Sequence, residues 1–227
     1  MTADSHPTHH VVFDCNVALN VYRHFGPVKS IEDIRALNSK HHGQSPAPPR
    51  FDAIHSLTLA AGGSIGDADS VVVHSTEHIQ KTVLHKASQP LQEKAGVGNS
   101  RLPEDYGLGL TRADSRGLVS ATIQGPVDAT GGFILENSLH SAEKTPPLDH
   151  EDGMVFGACK WLASCFPLDT IWCLTYDKNF IADAKKFSES SYINVCYPSE
   201  YVTFHRSTAH KAVMARLASR PLRIPAK

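Results

Sequence analysis

The stretch VVFDCNVALNVYRHF, residues 11–25, decides the fold class of this chain. Its apolar run VVF (11–13) predicts a short buried strand, and the apolar spacing that follows predicts a helix ending near Gly26. The polar residues DCN (14–16) fill the turn between these two elements. A buried strand that passes through a short polar turn into a helix is the unit from which parallel α/β sheets are built.

The same alternation recurs along the chain. Apolar runs that predict further strands stand at residues 71–73, 133–135, 171–174 and 192–196, and helical patterns separate them. Parallel strands joined by helices require right-handed crossovers, and such sheets are covered on both faces. We therefore expect an α/β protein: a three-layer α/β/α sandwich with a short, mainly parallel sheet.

Composition excludes several classes of protein. The chain has 227 residues, with 22 Lys+Arg against 23 Asp+Glu and a formal charge of -1. A chain of this length buries a core without disulfide or metal support, which excludes disordered, collagen-like and disulfide-scaffold classes. Its balanced charge argues against bulk coating of nucleic acid, so a phosphate-bearing partner must meet a local patch or a metal ion.

Five cysteines without a C-x-x-C pair indicate a reducing compartment. The first residues lack the features of a secretory signal, and no apolar stretch is long enough to span a membrane. We therefore expect a cytoplasmic protein that does not contact a membrane.

The domain organisation predicted from loops and charge is simple. One domain is expected over residues 1–206, with loop insertions near 38–50 and 88–110, where Pro, Gly and polar residues concentrate. A basic C-terminal extension is expected over 207–227. Residues 201–227 contain six Lys or Arg and no acid, which suits either a surface helix or a segment that contacts phosphate.

Acidic residues follow the predicted strands or begin the helices after them. These acids are Asp14, Glu77, Asp149, Glu151, Asp152 and Asp177. Ligands bind at the carboxyl edge of parallel sheets, and carboxylates gathered there repel one another unless a divalent cation is present. Oxygen ligands without a Cys/His set at zinc spacing favour Mg²⁺ or Mn²⁺, hence phosphoester chemistry. Taken singly, Glu77 and Asp152 also suit the N-terminus of a helix.

Three segments resemble the PIN-domain family, the metal-dependent ribonucleases that include VapC-type toxins. They are VVFDCNVAL (11–19), LDHEDGMVFGACKWL (148–162) and CLTYDKNF (173–180). The resemblance implies a PIN-like fold and an enzyme that hydrolyses RNA phosphodiester bonds with Mg²⁺ or Mn²⁺. It also implies a toxin of a toxin–antitoxin pair, with a small antitoxin protein as partner and a homodimer as the assembly.

The resemblance assigns a role to each candidate site residue. It makes Asp14, Asp152 and Asp177 the metal-binding carboxylates, with Glu77 as the further catalytic acid on the second helix. It makes Asn16 and Thr175 orienting residues, with Asp149 and Glu151 in support. Asn179 stands where many relatives carry another acid, which would weaken a second metal site.

Two other functions remain open at this stage. A phosphatase of the haloacid dehalogenase type also begins with a strand and an Asp, but it expects D-x-D, and Asn16 cannot transfer a proton. A PIN-like fold with incomplete metal ligands would instead be a non-catalytic module that binds RNA or protein. Among the 14 histidines, His74 and His150 lie nearest the predicted acidic edge and are candidates for contact with substrate phosphate.

Overall fold

The computed structural model describes residues 7–66, 69–90, 107–144, 148–186 and 192–219. The strands are β1 Thr8–Phe13, β2 Ser64–Ile65, β3 Asp69–Thr76, β4 Ile134–Leu135, β5 Thr170–Leu174 and β6 Ile193–Cys196. The helices are α1 Cys15–Phe25, α2 Ile31–His41, α3 Phe51–Ala60, α4 Glu77–Ser88, α5 Arg112–Val119, α6 Gly125–Thr130, α7 His150–Cys165, α8 Lys178–Ala184 and α9 Pro198–Ser219. A π-helix, Ser120–Gln124, joins α5 to α6.

The strands form one mostly parallel sheet with the order β2-β3-β1-β5-β6, and β4 pairs with β3. Only the pairing of β2 with β3 is antiparallel among these strands. Strand β1 is central: Val12 is the partner of His74 in β3 and of Cys173 in β5. The carboxyl ends of β3, β1 and β5 are therefore neighbours, and the prediction of a mainly parallel sheet is confirmed.

Helices pack on both faces of this sheet, as neighbouring residues of β5 show. The Trp172 ring lies 5.5 Å from that of Tyr201 and 4.6 Å from that of Phe204, both in α9. The next residue, Cys173, lies beside Cys159 in α7, which contributes to the raised pKa of the Cys173 thiol. Successive residues of a strand point to opposite faces, so α9 and α7 cover opposite faces in a layered α/β arrangement.

The segment that follows β4 packs against two glycines of α7, Gly153 and Gly157, which together we call the glycine strip. The Glu143 amide donates a 2.8 Å hydrogen bond to the Gly153 carbonyl. A Cβ atom on Gly153 would overlap the Glu143 carbonyl oxygen, and one on Gly157 would overlap that of Ser141. Both positions therefore require glycine, and Lys160 holds the same segment through an ion pair with Glu143.

Some element boundaries differ from those predicted. Strand β2 is not among the strands predicted from the sequence, and α2 extends into the predicted 38–50 insertion. Residues 207–219 continue α9, so the predicted boundary at 206/207 lies inside one helix. Most of the predicted 88–110 insertion and residues 220–227 lie outside the described residues. Within the described part of the chain, no helix combines the length and apolarity needed to cross a bilayer.

Candidate functional site

Asp14 lies at the junction of the sheet and α1, which it caps. Its amide donates a 2.9 Å hydrogen bond to the Leu174 carbonyl, and its Oδ1 accepts a 2.6 Å bond from the Cys15 amide. The residue is 4% exposed. Burial raises the pKa of Asp14 to about 6, although bonds from Thr175 and Cys15 oppose the shift and the charge of Glu151 adds to it. The fold therefore holds a carboxyl group where its ionisation is costly.

Thr175 fixes the orientation of the residues around it. Its Oγ1 donates to Asp14 Oδ2 at 2.7 Å and accepts from Asn16 Nδ2 at 2.9 Å and from the Asp177 amide at 3.0 Å. Asn16 Nδ2 also donates to Asp14 Oδ2 at 2.7 Å, while its Oδ1 accepts from the Tyr176 amide. Both predicted orienting residues thus contact Asp14. Asn16 is committed to these bonds and has no acid–base role, which disfavours the phosphatase alternative.

The first turn of α7 brings a second group of acids to this junction. Asp149 caps the helix by accepting a 2.8 Å bond from the Asp152 amide. The pKa of Asp152 is raised to about 8, first by burial and then by the charges of Asp149, Asp14, Asp177 and Glu151. These five acids come from three separate stretches of chain, and together we name them the acidic edge.

Asp177 contributes to the acidic edge from the turn after β5. Its Oδ1 caps α8 by accepting bonds from the Asn179 amide at 2.7 Å and the Phe180 amide at 3.1 Å. Among the described residues, no hydrogen bond engages its Oδ2. This oxygen is therefore available to a cation, whereas the Asn179 side chain offers an amide where an acid was expected from the resemblance.

A lysine neutralises one corner of the acidic edge. Lys86 Nζ lies 2.8 Å from Glu151 Oε1, and the Cys15 thiol donates to the same oxygen at 2.9 Å. Burial raises the pKa of Glu151, but the bonds from Cys15 and Lys86 outweigh it and the pKa lies below its usual value. Burial, together with the charge of Asp14, raises the pKa of the Cys15 thiol well above its usual range, so this thiol stays protonated.

Glu77 was predicted to be the catalytic acid on the second helix, and the structure places it at the first turn of α4. Its carboxylate pairs with Lys81 Nζ at 2.9 Å, and 40% of its side chain is exposed. No hydrogen bond or ion pair joins it to the acidic edge in the parts of the chain described. The group that α4 contributes to the acidic edge is Lys86, which lies in the last turn of that helix and pairs with Glu151.

Among the described residues one set of side chains meets the distances needed to hold a metal ion, and the resemblance suggests a second set. Ligand atoms of Asp14, Cys15 and Glu151 lie within 4.8 Å of one another. In that set the thiol is protonated and Lys86 already balances the charge of Glu151, which disfavours a divalent cation. Asp152 is different, because burial and then the charges of four neighbouring acids raise its pKa, and no described cation pairs with it. The set Asp14, Asp152 and Asp177 offers only oxygen ligands, which a hard cation prefers, but among the described residues the ligand atoms of these three do not all lie within 4.8 Å of one another.

The two histidines considered from the sequence lie in different surroundings. His74 is 1% exposed, bonded to His10 and packed against Phe133, so it belongs to the protein interior. His150 is exposed at the start of α7, and its ring centroid lies 6.1 Å from that of His78. Of these two, only His150 is accessible to a substrate.

Known proteins add no information about the site. Comparisons of the chain with protein-family models, with curated proteins and with solved structures gave no match in any of the three. The resemblance to PIN domains therefore stays a prediction, and the function must be argued from the acidic edge.

We expect Thr175→Val to lower the free energy of unfolding by about 2 kcal/mol at pH 8, because a buried carboxylate loses a charge-assisted hydrogen bond. The loss should shrink at pH 5, where Asp14, with its pKa of about 6, is protonated in the folded protein. Urea unfolding at both pH values measures this difference. Thr203→Val, at an exposed position in α9, is the matched control. An equal loss at the two pH values would show that Thr175 does not act through the charge of Asp14.

Proposed function

We propose that this protein is a PIN-like ribonuclease that hydrolyses RNA phosphodiester bonds at the acidic edge with Mg²⁺ or Mn²⁺. One observation carries the proposal. The Asp152 carboxylate lies among four others drawn from three stretches of chain, with its pKa raised to about 8. Clustered carboxylates with strongly raised pKa values are frequent at functional sites. Binding of a divalent cation that also contacts phosphate is a common reason for such a cluster. An antitoxin partner and a homodimer remain predictions from the resemblance.

The metal ligands in this proposal are Asp14, Asp152 and Asp177. A bound Mg²⁺ would supply Lewis-acid polarisation of the phosphate and a water of lowered pKa. Thr175 and Asn16 both donate to Oδ2 and hold Asp14 in one orientation, so the second lone pair of Oδ1, beside the one that accepts from the Cys15 amide, keeps a fixed direction. Such fixed groups contribute to catalysis because they need no reorganisation during the reaction.

The remaining acids have separate parts in the proposed reaction. Asp149 is exposed, and only its Oδ1 is used by the helix cap. Its Oδ2 is the oxygen we assign to accept a proton from the attacking water while the opposite P–O bond breaks. Glu151 is bonded to both Lys86 and Cys15, so its part is to hold a fixed positive charge beside the site.

A non-catalytic module is the second candidate, and two observations favour it. Glu151 is neutralised by Lys86 rather than open to a metal, and an amide occupies position 179. Such a module would bind RNA or protein without cleaving it. Its binding of RNA or protein would also tolerate replacement of Asp14.

The test is incubation of the purified protein with end-labelled single-stranded and structured RNAs in Mg²⁺, in Mn²⁺ and in EDTA. We expect cleavage with either metal, none in EDTA, and a loss of at least about 100-fold in Asp14→Asn. Glu32→Gln, an exposed acid in the first turn of α2, should cleave like the wild type. Equal cleavage by Asp14→Asn would reject the proposed site, and RNA binding without cleavage and without metal binding would favour the non-catalytic module.

A further inference from the structure

A cavity of about 460 Å³ opens between α4 and α5, and its volume lies in the range of small-molecule sites. Three residues of each helix line it: Leu84, His85, Ser88, Arg112, Ser115 and Arg116. None of these six described residues is an acid, and none belongs to the acidic edge. The cavity therefore carries the positive charge of two arginines and shares no residue with the proposed site of cleavage.

The two arginines lie one helical turn apart on α5. Both are exposed, and over the described ranges neither Arg112 nor Arg116 makes a hydrogen bond or an ion pair. The acid between them in sequence is already engaged, because Asp114 Oδ2 accepts a 2.7 Å bond from the Thr111 hydroxyl at the start of the helix. Side chains four residues apart on a helix are neighbours. Both guanidinium groups therefore reach the same ligand.

These positions are unfavourable for cations if only the stability of α5 is considered. Arg112 is the first residue of α5, at the positive end of the helix dipole, where a cation is destabilising. Arg112 and Arg116 are also like charges at i and i+4, which repel each other. Residues that break local rules in this way are expected at functional sites, and an anion bound between the two arginines removes both conflicts.

The end of α4 does not need the arginines either. Arginines beside the C-terminus of a helix often bond its last carbonyl groups. Here the Ala87 carbonyl accepts a 2.9 Å bond from the Leu110 amide, and the Gln89 carbonyl accepts a 2.8 Å bond from the Gly109 amide. The backbone of the following segment thus satisfies these carbonyls, and the arginines remain available to a ligand.

The rest of the lining adds a donor and an apolar surface. His85 Nε2 lies 2.9 Å from the Gln89 amide nitrogen and accepts its hydrogen. The proton of the neutral ring is therefore on Nδ1, which no described residue engages. Leu84 is partly exposed beside it. Because the hydroxyl of Ser115 donates to the Thr111 carbonyl, the arginines and His85 are the donors left for an anion.

We propose that this cavity binds a small organic phosphate, with the phosphate between Arg112 and Arg116 and the apolar part against Leu84. A guanidinium binds two oxygens of one anion through parallel hydrogen bonds. One arginine would satisfy both oxygens of a carboxylate, whereas two arginines match the three terminal oxygens of a phosphate monoester. The site goes beyond the proposed function and does not depend on cleavage at the acidic edge.

The test is a ¹H–¹⁵N NMR titration of the full chain with phenyl phosphate in metal-free HEPES buffer. The wild type should bind with a Kd of about 1 mM or lower, with the largest shifts in α4 and α5. Arg112→Gln and Arg116→Gln should each raise Kd at least about 10-fold without lowering the Tm of the free protein. Arg116→Lys, which keeps the charge without the planar fork, should fall between Arg116→Gln and the wild type.

The control is Arg35→Gln, which removes a surface cation of α2 that pairs with Glu32 and should bind phenyl phosphate like the wild type. Affinities of Arg112→Gln and Arg116→Gln within twofold of this control would overturn the proposal, as would shifts centred on the acidic edge. Equal affinity for inorganic phosphate would remove the organic part of the ligand. Displacement of phenyl phosphate by a lower concentration of a 12-nucleotide RNA without terminal phosphates would assign the cavity to a nucleic-acid backbone instead.

Discussion

Replacing Asp152 by Asn is expected to abolish RNA cleavage and, in the same protein, to raise the free energy of unfolding. The substitution removes a proposed metal ligand, for which we expect a loss of at least about 100-fold in the cleavage rate. It also removes a carboxylate whose pKa is raised to about 8 by burial and by four neighbouring acids. With discount for its partial exposure, we expect a gain of about 3 kcal/mol at pH 8 without metal.

The sign of this effect follows from proton binding. Between the usual Asp pKa and about pH 8, the folded protein binds more protons at Asp152 than the unfolded chain does. The stability contributed by the protonated group is therefore lost as the pH rises through this window. The amide introduced by Asp152→Asn would carry no such charge, so the stability of the variant should depend less on pH than that of the wild type.

Urea unfolding in EDTA at pH 5 and pH 8 measures the gain in stability. Mn²⁺ should raise the Tm of the wild type and have little effect on the variant, because a ligand that binds only the folded state stabilises it. Glu32→Gln, at an exposed position in the first turn of α2, controls for the loss of an acid near a helix N-terminus. A variant that is less stable than the wild type at pH 8 would show that Asp152 is not a strained group.

Acid is expected to destabilise the folded protein through His74. This residue is 1% exposed, and burial lowers its pKa to about 4. The charge of His10 lowers the pKa further, and a backbone hydrogen bond with Phe133 opposes the shift. Unfolding lets the ring bind a proton at its ordinary pKa. Stability present above the ordinary pKa is therefore lost as the pH falls toward 4, by about 2 kcal/mol between pH 7.5 and pH 5.

The pH profile of the wild type alone would hide this loss. Asp14 and Asp152 have raised pKa values, so they add stability over the same interval in which His74 removes it. Because these effects have opposite signs and overlap in pH, the curve of the wild type reports only their sum. The contribution of His74 must therefore be measured as a difference between variants.

The variant for this measurement is His74→Gln, studied by urea unfolding at pH 7.5 and pH 5. Its penalty relative to the wild type should be smaller by about 2 kcal/mol at pH 5, because glutamine takes up no proton on unfolding. His85→Gln, in an exposed position on α4, is the matched control. A penalty of the same size at both pH values would contradict a role for the titration of His74.

The sequence predicted most of the sheet and the centre of the acidic edge for one physical reason. A strand, a polar turn and a helix are local features, so Asp14 and Asp177 are placed correctly by the residues immediately before them. Asp152 follows from the cap at Asp149 in the same local way. Each of these three segments can therefore be recognised from neighbouring residues in the sequence.

The parts that the sequence did not predict depend on contacts between distant residues. Lys86 reaches Glu151 across 65 positions, and nothing in α4 distinguishes it from an ordinary cation at the end of a helix. Glu77 was chosen because it follows a strand, but its own helix supplies Lys81 as a partner one turn away. The two-residue strand β2 is too short to show any alternation of apolar residues.

The glycine strip of α7 has a consequence for how sequences of this kind diverge. The proposed function requires the acids of the first turn. Gly153 and Gly157 admit no side chain, and Cys159 and Leu162 fill the interior. Few positions of α7, such as Ser164, face solvent, and only such positions can change residue type without loss of stability. A distant relative is therefore expected to keep an acidic turn followed by glycines four residues apart, long after its loops and outer helices have lost all similarity to this chain.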